Sequence, residues 1–323
     1  MKTIIVTIPV NEIHKKLFGD IVPDAKFIYC TDGDLTKETV HKANVIIGNP
    51  PHQLLKGTKK LEWLQLASSG TDGYLEQGLL PPNAILTNAT GAYGLAVAEH
   101  LFALLLFLQK KLKLYSENQR EHIWKDEGSV SSIYGTTTLI VGLGDLGKEF
   151  AIRMKAFGSH IIGIKRTILE KPDFVDEVYT VDNLNEQLSR ADIVALCLPC
   201  TKSTYRMFTK ERLFRIKKGA ILLNAGRGNL LDTEALCNAL EIGHLAGAGI
   251  DVTDPEPLLE KTKLWDAPNI IITPHVAGGY HLPETLEKVV RICKSNLSAY
   301  NFNSQYINVV NFNSAYKVSD KKR

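Results

Sequence analysis

The chain has 323 residues, enough for two domains of ordinary size and for a core that needs neither disulfides nor metals. Its 38 basic and 35 acidic residues leave a formal charge of +3, too small and too dispersed for a nucleic-acid surface. A content of 44% apolar and 23% charged residues excludes a largely disordered chain, and the longest apolar run, 101–108, is far short of the ~20 residues of a membrane span.

Met1-Lys2-Thr3 leads straight into Ile4-Ile5-Val6, which reads as a first strand, since it lacks the long apolar core and cleavage site of a signal peptide. Five cysteines without framework spacing fit a reducing cytosol, so a cytoplasmic location is expected. Short apolar runs at 4–8, 27–30, 45–48, 64–67 and 84–86 have strand length and are bounded by Gly, Pro, Asn or Asp. Segments 11–17 and 37–42 between them suit helices, so the opening stretch reads as a small α/β unit. A single long helix is expected over 92–119, apolar early and interrupted by Lys110, Lys111 and Lys113 later. Strands at 138–141, 160–164, 193–198, 220–223, 248–250 and 270–272 then alternate with helices at 146–157, 184–190, 210–215 and 233–242. Strands apolar along their whole length predict a parallel sheet covered on both faces. A last helix over 283–302 and a polar tail to Arg323 close the chain, without internal repeat or low-complexity segment.

The stretch Gly142-Leu143-Gly144-Asp145-Leu146-Gly147 follows one of these strands and opens a helix, which is the context that gives G-x-G-x-x-G its meaning. The first glycine permits the turn, the second lets a pyrophosphate approach the backbone, and the third lets helix and strand pack closely. Its late position places about 130 residues of separate α/β material before the dinucleotide fold, unlike L-lactate or malate dehydrogenases. At the end of the next strand an NAD enzyme would place an acidic residue for the ribose 2′-hydroxyl. Lys165-Arg166-Thr167 stands there instead, two cations and a hydroxyl that suit a 2′-phosphate, so NADP(H) is the preferred cofactor and NAD(H) the alternative.

Three more segments lie just beyond strand ends: Asn224-Ala225-Gly226-Arg227-Gly228, Asp251 to Pro257, and Thr273-Pro274-His275-Val276-Ala277-Gly278-Gly279. Ligands of open α/β sheets bind at those ends, so one guanidinium, one carboxylate and one imidazole converge where hydride transfer would occur. Hydride addition to a carbonyl needs a proton for its oxygen, which a histidine can deliver near neutrality. A carboxylate can fix the ring, and arginine's planar fork can grip a carboxylate. Taken singly, Arg227 could be a loop cation, Glu256 a surface acid beside prolines and His275 a turn histidine.

With these motifs the sequence resembles the D-isomer-specific 2-hydroxyacid dehydrogenase family over nearly its whole length. Further matches are Ala67-Ser68-Ser69-Gly70-Thr71-Asp72, Ala98-Glu99-His100, Leu198-Pro199-Cys200-Thr201 and Thr204. The resemblance implies that Arg227 binds substrate, His275 is the acid/base and Glu256 orients it. It implies substrate contacts at Ser69 and Gly70. Cofactor contacts are implied at Leu198, Pro199, Thr204, Ala225, Gly226, Asp251 and Gly278, besides Gly142, Gly144, Asp145, Leu146 and Gly147. Two Rossmann-like doubly wound parallel-sheet domains are expected, with a cleft between them. Residues 1–94 and 284–323 form a discontinuous substrate domain, and 95–283 the dinucleotide-binding domain. The implied partners are a small 2-keto or 2-hydroxy acid and a second copy of the chain. No metal, nucleic acid or membrane is implied.

A glyoxylate or hydroxypyruvate reductase is the favoured activity. Phosphoglycerate dehydrogenase without a regulatory domain and a dinucleotide-sensing binding protein of the corepressor type are the alternatives, while Glu256 argues against formate dehydrogenase. His100 is expected to be a packed structural residue, Trp63 to be the tryptophan nearest the active cleft, and Cys197-Leu198-Pro199-Cys200 to be a strand end without redox chemistry.

Overall fold

The computed structural model describes residues 1–168 and 170–312. The expected tail beyond residue 312 lies outside the described residues. In chain order the elements are β1 (Thr3–Val6), α1 (Glu12–Ile21), β2 (Lys26–Tyr29), α2 (Lys37–Lys42), β3 (Val45–Ile47), α3 (His52–Leu55), β4 (Trp63–Gln65), β5 (Ile85–Thr87), α4 (Gly94–Gln109) and α5 (Leu112–Arg120). They continue with β6 (Thr137–Val141), α6 (Asp145–Ala156), β7 (His160–Lys165), β8 (Glu177–Thr180), α7 (Leu184–Leu188) and β9 (Ile193–Leu196). The rest are α8 (Lys210–Arg215), β10 (Ala220–Asn224), α9 (Thr233–Glu241), β11 (Leu245–Ile250), β12 (Ile270–Ile272) and α10 (Pro283–Phe302).

The chain divides into two compact units. One comprises Met1–Tyr93 and the segment from Tyr280 onward, the other Gly94–Gly279. In the first, five parallel strands run in the order β2-β1-β3-β4-β5. Alternate residues of each strand feed opposite faces: Ile4, Val6, Val45 and Ile47 pack with Val289, Cys293 and Leu297 of α10, whereas Ile5 and Ile46 pack with Val40 and Leu55. Trp63 is fully buried there, with the rings of Tyr300 and Tyr306 tilted against it, and donates its Nε1–H to Thr87 Oγ1 at 2.8 Å. The expectation that it approaches an active cleft is therefore wrong. Its indole N–H finds a partner inside the core, so nothing draws the ring to the surface.

The second unit has seven parallel strands in the order β12-β11-β10-β9-β6-β7-β8. The order reverses between β6 and β9, and the carboxyl ends at such a switch point are where open α/β sheets take ligands. Leu139, Val141 and Leu222 point to one apolar layer, Ile140, Ile221 and Leu223 to the other. Both faces are covered, which explains the uninterrupted apolar strands.

The expected long connector is two helices. The buried stripe Ala98, Leu101, Leu104 and Leu105 ends with α4, and Lys111 then turns the chain through a left-handed conformation, φ 54°. Lys110 Nζ donates to the Ser131 carbonyl at 2.7 Å and Lys111 Nζ to that of Glu127, so the cations tie down the returning segment. Strand β8 was not anticipated. It is a half-buried edge strand, Glu-Val-Tyr-Thr, and carries no apolar run.

Candidate active site

The glycine-rich turn joins β6 to the twelve-residue helix α6 at the switch point. Gly142 has φ +105°, and a Cβ there would lie 2.7 Å from the Cys197 carbonyl oxygen. At Gly147 a Cβ would lie 2.0 Å from the carbonyl oxygen of Gly142, so any side chain would push α6 off the sheet. Gly144 differs: nothing approaches within 4 Å of its missing Cβ. Two glycines are needed by the protein's own packing, and the third leaves backbone open at a helix N-terminus, which fits a dinucleotide pyrophosphate. Leu143 packs into the space left by Gly163 of β7, whose Cβ would sit 2.3 Å from its Cδ1. Leu146 is half-buried beside it, in the layer around Ile140.

Asp145 turns its carboxylate to the first residue of α4, accepting the Gly94 N–H at 2.7 Å. Strand β7 ends at half-buried Lys165, followed by exposed Arg166 and Thr167. After β9, Leu198 and Pro199 lead into a tight loop in which Thr204 Oγ1 donates to the Pro199 carbonyl and accepts from Thr201 N–H, each at 2.8 Å. Burial pushes the Cys197 thiol up to about 12, which keeps it protonated at neutral pH and makes it a poor nucleophile.

The loops after β9, β10 and β11 touch through two glycines. A Cβ on Gly226 would lie 2.5 Å from the Leu198 carbonyl oxygen, and one on Gly228 would lie 2.0 Å from the Thr253 carbonyl. Between them half-buried Arg227 is held by its backbone, its carbonyl accepting from Asn224 Nδ2 at 3.0 Å, while Asn224 Oδ1 accepts the Gly226 N–H at 3.0 Å. The guanidinium Nη1 donates to the Gly226 carbonyl at 2.7 Å. Ala225 is half-buried on the same loop. Beyond β11, Thr253 N–H donates to Glu256 Oε1 at 3.0 Å, and Glu256 Oε2 meets His275 Nδ1 at 2.8 Å. The structure thus brings His275 and Glu256 together directly, and the Arg227 loop abuts the residue that anchors Glu256. The His275 and Glu256 side chains are 47% and 40% exposed, so the pair stands open to a ligand.

Asp251 occupies the opposite environment, only 2% exposed. Its Oδ1 accepts from Thr273 Oγ1 at 2.6 Å and Val276 N–H at 3.0 Å, and its Oδ2 accepts the Ala277 N–H at 3.1 Å. Its carbonyl accepts the His275 N–H at 2.7 Å. His275 itself has φ 53°, a left-handed conformation uncommon outside glycine, and Asp251 holds the backbone on both sides of it. Gly278 follows, half-buried. Sequence reasoning assigned Asp251 to the cofactor; its visible work is to build the histidine turn.

The family model for the D-isomer specific 2-hydroxyacid dehydrogenase NAD binding domain matches residues 102–277. The chain belongs to the D-isomer specific 2-hydroxyacid dehydrogenase family. That family consists of NAD(P)-dependent oxidoreductases acting on 2-hydroxy acids. A glyoxylate reductase of Korarchaeum cryptofilum is 34% identical over 234 residues, 70% of this chain and 69% of the relative. A D-3-phosphoglycerate dehydrogenase of Mycobacterium leprae is 33% identical over 70% of the chain, which spans only 43% of that relative. The crystal structure of a D-isomer specific 2-hydroxyacid dehydrogenase family protein from Aeromonas salmonicida superposes with a TM-score of 0.86 at 30% identity, covering 96% of this chain and 99% of that one.

Ser69 and Gly70 belong to the first unit, in the loop after β4. Asn88 Nδ2 donates to the Ser69 carbonyl at 2.8 Å and Ser68 Oγ to that of Gly70 at 2.8 Å, which stiffens the loop. Two residues of the family member's second unit escaped sequence reasoning as parts of the site. Asn224 is fully buried and clamps the Arg227 loop; His100 reaches Thr273. For Asn224 the available signal was a polar residue ending an otherwise apolar strand.

Proposed function

We propose that this chain reduces a small 2-keto acid of the glyoxylate or hydroxypyruvate type to the 2-hydroxy acid, with NADPH preferred over NADH. The observation that carries the reading is the 2.8 Å contact between His275 Nδ1 and Glu256 Oε2 at the carboxyl edge of a dinucleotide-binding sheet. The bound nicotinamide supplies the hydride. With Nδ1 engaged by Glu256, the other ring nitrogen of His275 is the one that gives the ketone oxygen its proton. Glu256 keeps the ring oriented, and its own second oxygen is fixed by Thr253 N–H. Arg227 grips the substrate carboxylate and polarises the neighbouring carbonyl, with its loop braced by Asn224.

The backbone N–H groups at the start of α6, beside the open face of Gly144, would hold the pyrophosphate. Lys165, Arg166 and Thr167, at the end of β7, would meet the adenosine ribose, and their charge would favour a 2′-phosphate. The five cysteines are free, in keeping with a cytoplasmic enzyme. Exposed Leu112, Trp124 and Tyr134, on and after α5, offer the apolar surface for a homodimer.

The test is kcat/KM for NADPH and NADH with a panel of 2-keto acids at low salt. Turnover of glyoxylate or hydroxypyruvate, with NADPH favoured by about tenfold or more, is expected. No turnover of any 2-keto acid would refute the activity. Equal use of both nucleotides would make Lys165 and Arg166 a solvated turn.

A further inference from the structure

We infer that His100 is a positioning residue for the acid/base histidine, and that α4 is a brace joining the glycine-rich turn to the His275 turn. The inference rests on the reading of His275 given above. His100 Nε2 lies 2.9 Å from Thr273 Oγ1 and 3.6 Å from Asp251 Oδ1. The single hydroxyl hydrogen of Thr273 is already committed to Asp251 Oδ1 at 2.6 Å. Nε2 is therefore the donor, and His100 carries its proton there. The result is a continuous path: His100 to Thr273, Thr273 to Asp251, and Asp251 to the amides of Val276 and Ala277 and, through its carbonyl, to that of His275.

A turn with a non-glycine residue at φ 53° does not persist by its own preference; surrounding structure has to determine it. Asp251 does so directly. His100 keeps Asp251 in place by fixing the hydroxyl that bonds it, from a helix that cannot shift easily. Leu104, one turn further along α4, lies against β11, where a Cβ on Gly249 would be only 3.0 Å from its own Cβ. At the other end of the helix, Asp145 of the glycine-rich turn accepts the Gly94 N–H at 2.7 Å. One rigid element thereby touches both the loop that holds the nucleotide and the turn that holds the proton donor. Near-attack geometry demands such registration, because small displacements of a proton donor are costly in rate.

His100→Leu keeps the volume of the side chain and removes the donor; His100→Gln restores an N–H donor of similar reach. The Leu variant should lose about tenfold in kcat with glyoxylate, as expected for one hydrogen bond, while the NADPH dissociation constant stays within about twofold. The Gln variant should recover most of that loss. In nucleotide-free protein, the Val276 and Ala277 amides should exchange faster in the Leu variant than in wild type, by a similar factor. Thr273→Val should reproduce the Leu variant, and Thr273→Ser should not. Unchanged kcat in His100→Leu, with His275→Asn inactive, would overturn the brace while leaving the acid/base reading intact. Activity retained in His275→Asn would instead remove the reading on which the brace depends. Equal loss in the Leu and Gln variants would also overturn the inference, since packing alone would then account for His100.

Discussion

Each unit of this dehydrogenase buries a polar network, and the two serve different ends. In the first unit Gln65, Thr87, Trp63 and Asn296 are all fully buried. Thr87 Oγ1 takes the Trp63 indole N–H and donates to Gln65 Oε1, which also accepts from Asn296 Nδ2. Asn296 in turn exchanges two hydrogen bonds with the backbone of Ile307. The side-chain bonds close inside the core, and the two to the Ile307 backbone tie the chain after α10 to β4 and β5. In the second unit buried Asp251 gathers a hydroxyl and two amides, but the turn it builds presents a histidine that meets Glu256 of the neighbouring loop, both nearly half open to solvent. Buried polarity alone therefore does not mark a reaction centre. The proposed reaction centre differs in that its buried network supports a side chain left exposed.

Breaking each network should separate these roles. Asp251→Ala strands the Thr273 hydroxyl and two amides, at about 1–3 kcal/mol for each unsatisfied group. Much of that will appear as a collapsed turn, so kcat with a 2-keto acid should fall by about 100-fold or more. Intact activity in a folded Asp251→Ala protein would show that the turn needs no internal carboxylate. Asn296→Leu should instead lower the unfolding free energy of the protein by about 2 kcal/mol in urea while leaving kcat within about twofold. A large kcat loss without a stability loss would contradict the purely structural role given to that network.

A smaller effect is expected at β8, at the opposite edge of the second sheet from β11 and β12. Hydrogen bonds from Arg190 foremost, then Tyr179 and His160, hold Glu177 down at about 2. A carboxylate depressed in the folded state stabilises above its unfolded value of about 4.3 and loses that contribution as pH falls through about 2. Glu177→Gln should accordingly cost about 1 kcal/mol at pH 6, after allowance for solvent screening, and the difference from wild type should shrink between about pH 4 and pH 2. A difference that does not change with pH would assign the loss to packing.

The sequence made the glycine-rich turn legible because each of its glycines answers a local demand: φ at Gly142, contact at Gly147 and open backbone at Gly144. The strands of the second unit were legible because both faces of a parallel sheet are buried, which forces continuous apolar runs. The break between α4 and α5 was not, because no glycine or proline announces it. It comes from Lys111 adopting a left-handed conformation at the point where the buried stripe ends. Edge strand β8 was hidden by its half-buried, mixed composition. Trp63 was misjudged because its partner Thr87 is brought to it only by strand pairing. His100 and Thr273 are 173 positions apart, and no pattern in the chain reveals their hydrogen bond. Local backbone requirements leave a signature in sequence, while side-chain contacts between distant loops leave almost none.

The central claim is that the exposed histidine of the Asp251-built turn delivers the proton. The most direct measurement is the turnover of glyoxylate by wild type and His275→Asn at saturating NADPH, with nucleotide binding followed in parallel by fluorescence. The account predicts a loss of about 10²–10⁴-fold in kcat with the NADPH dissociation constant within about twofold of wild type. Retention of more than about half the wild-type rate at neutral pH would contradict it.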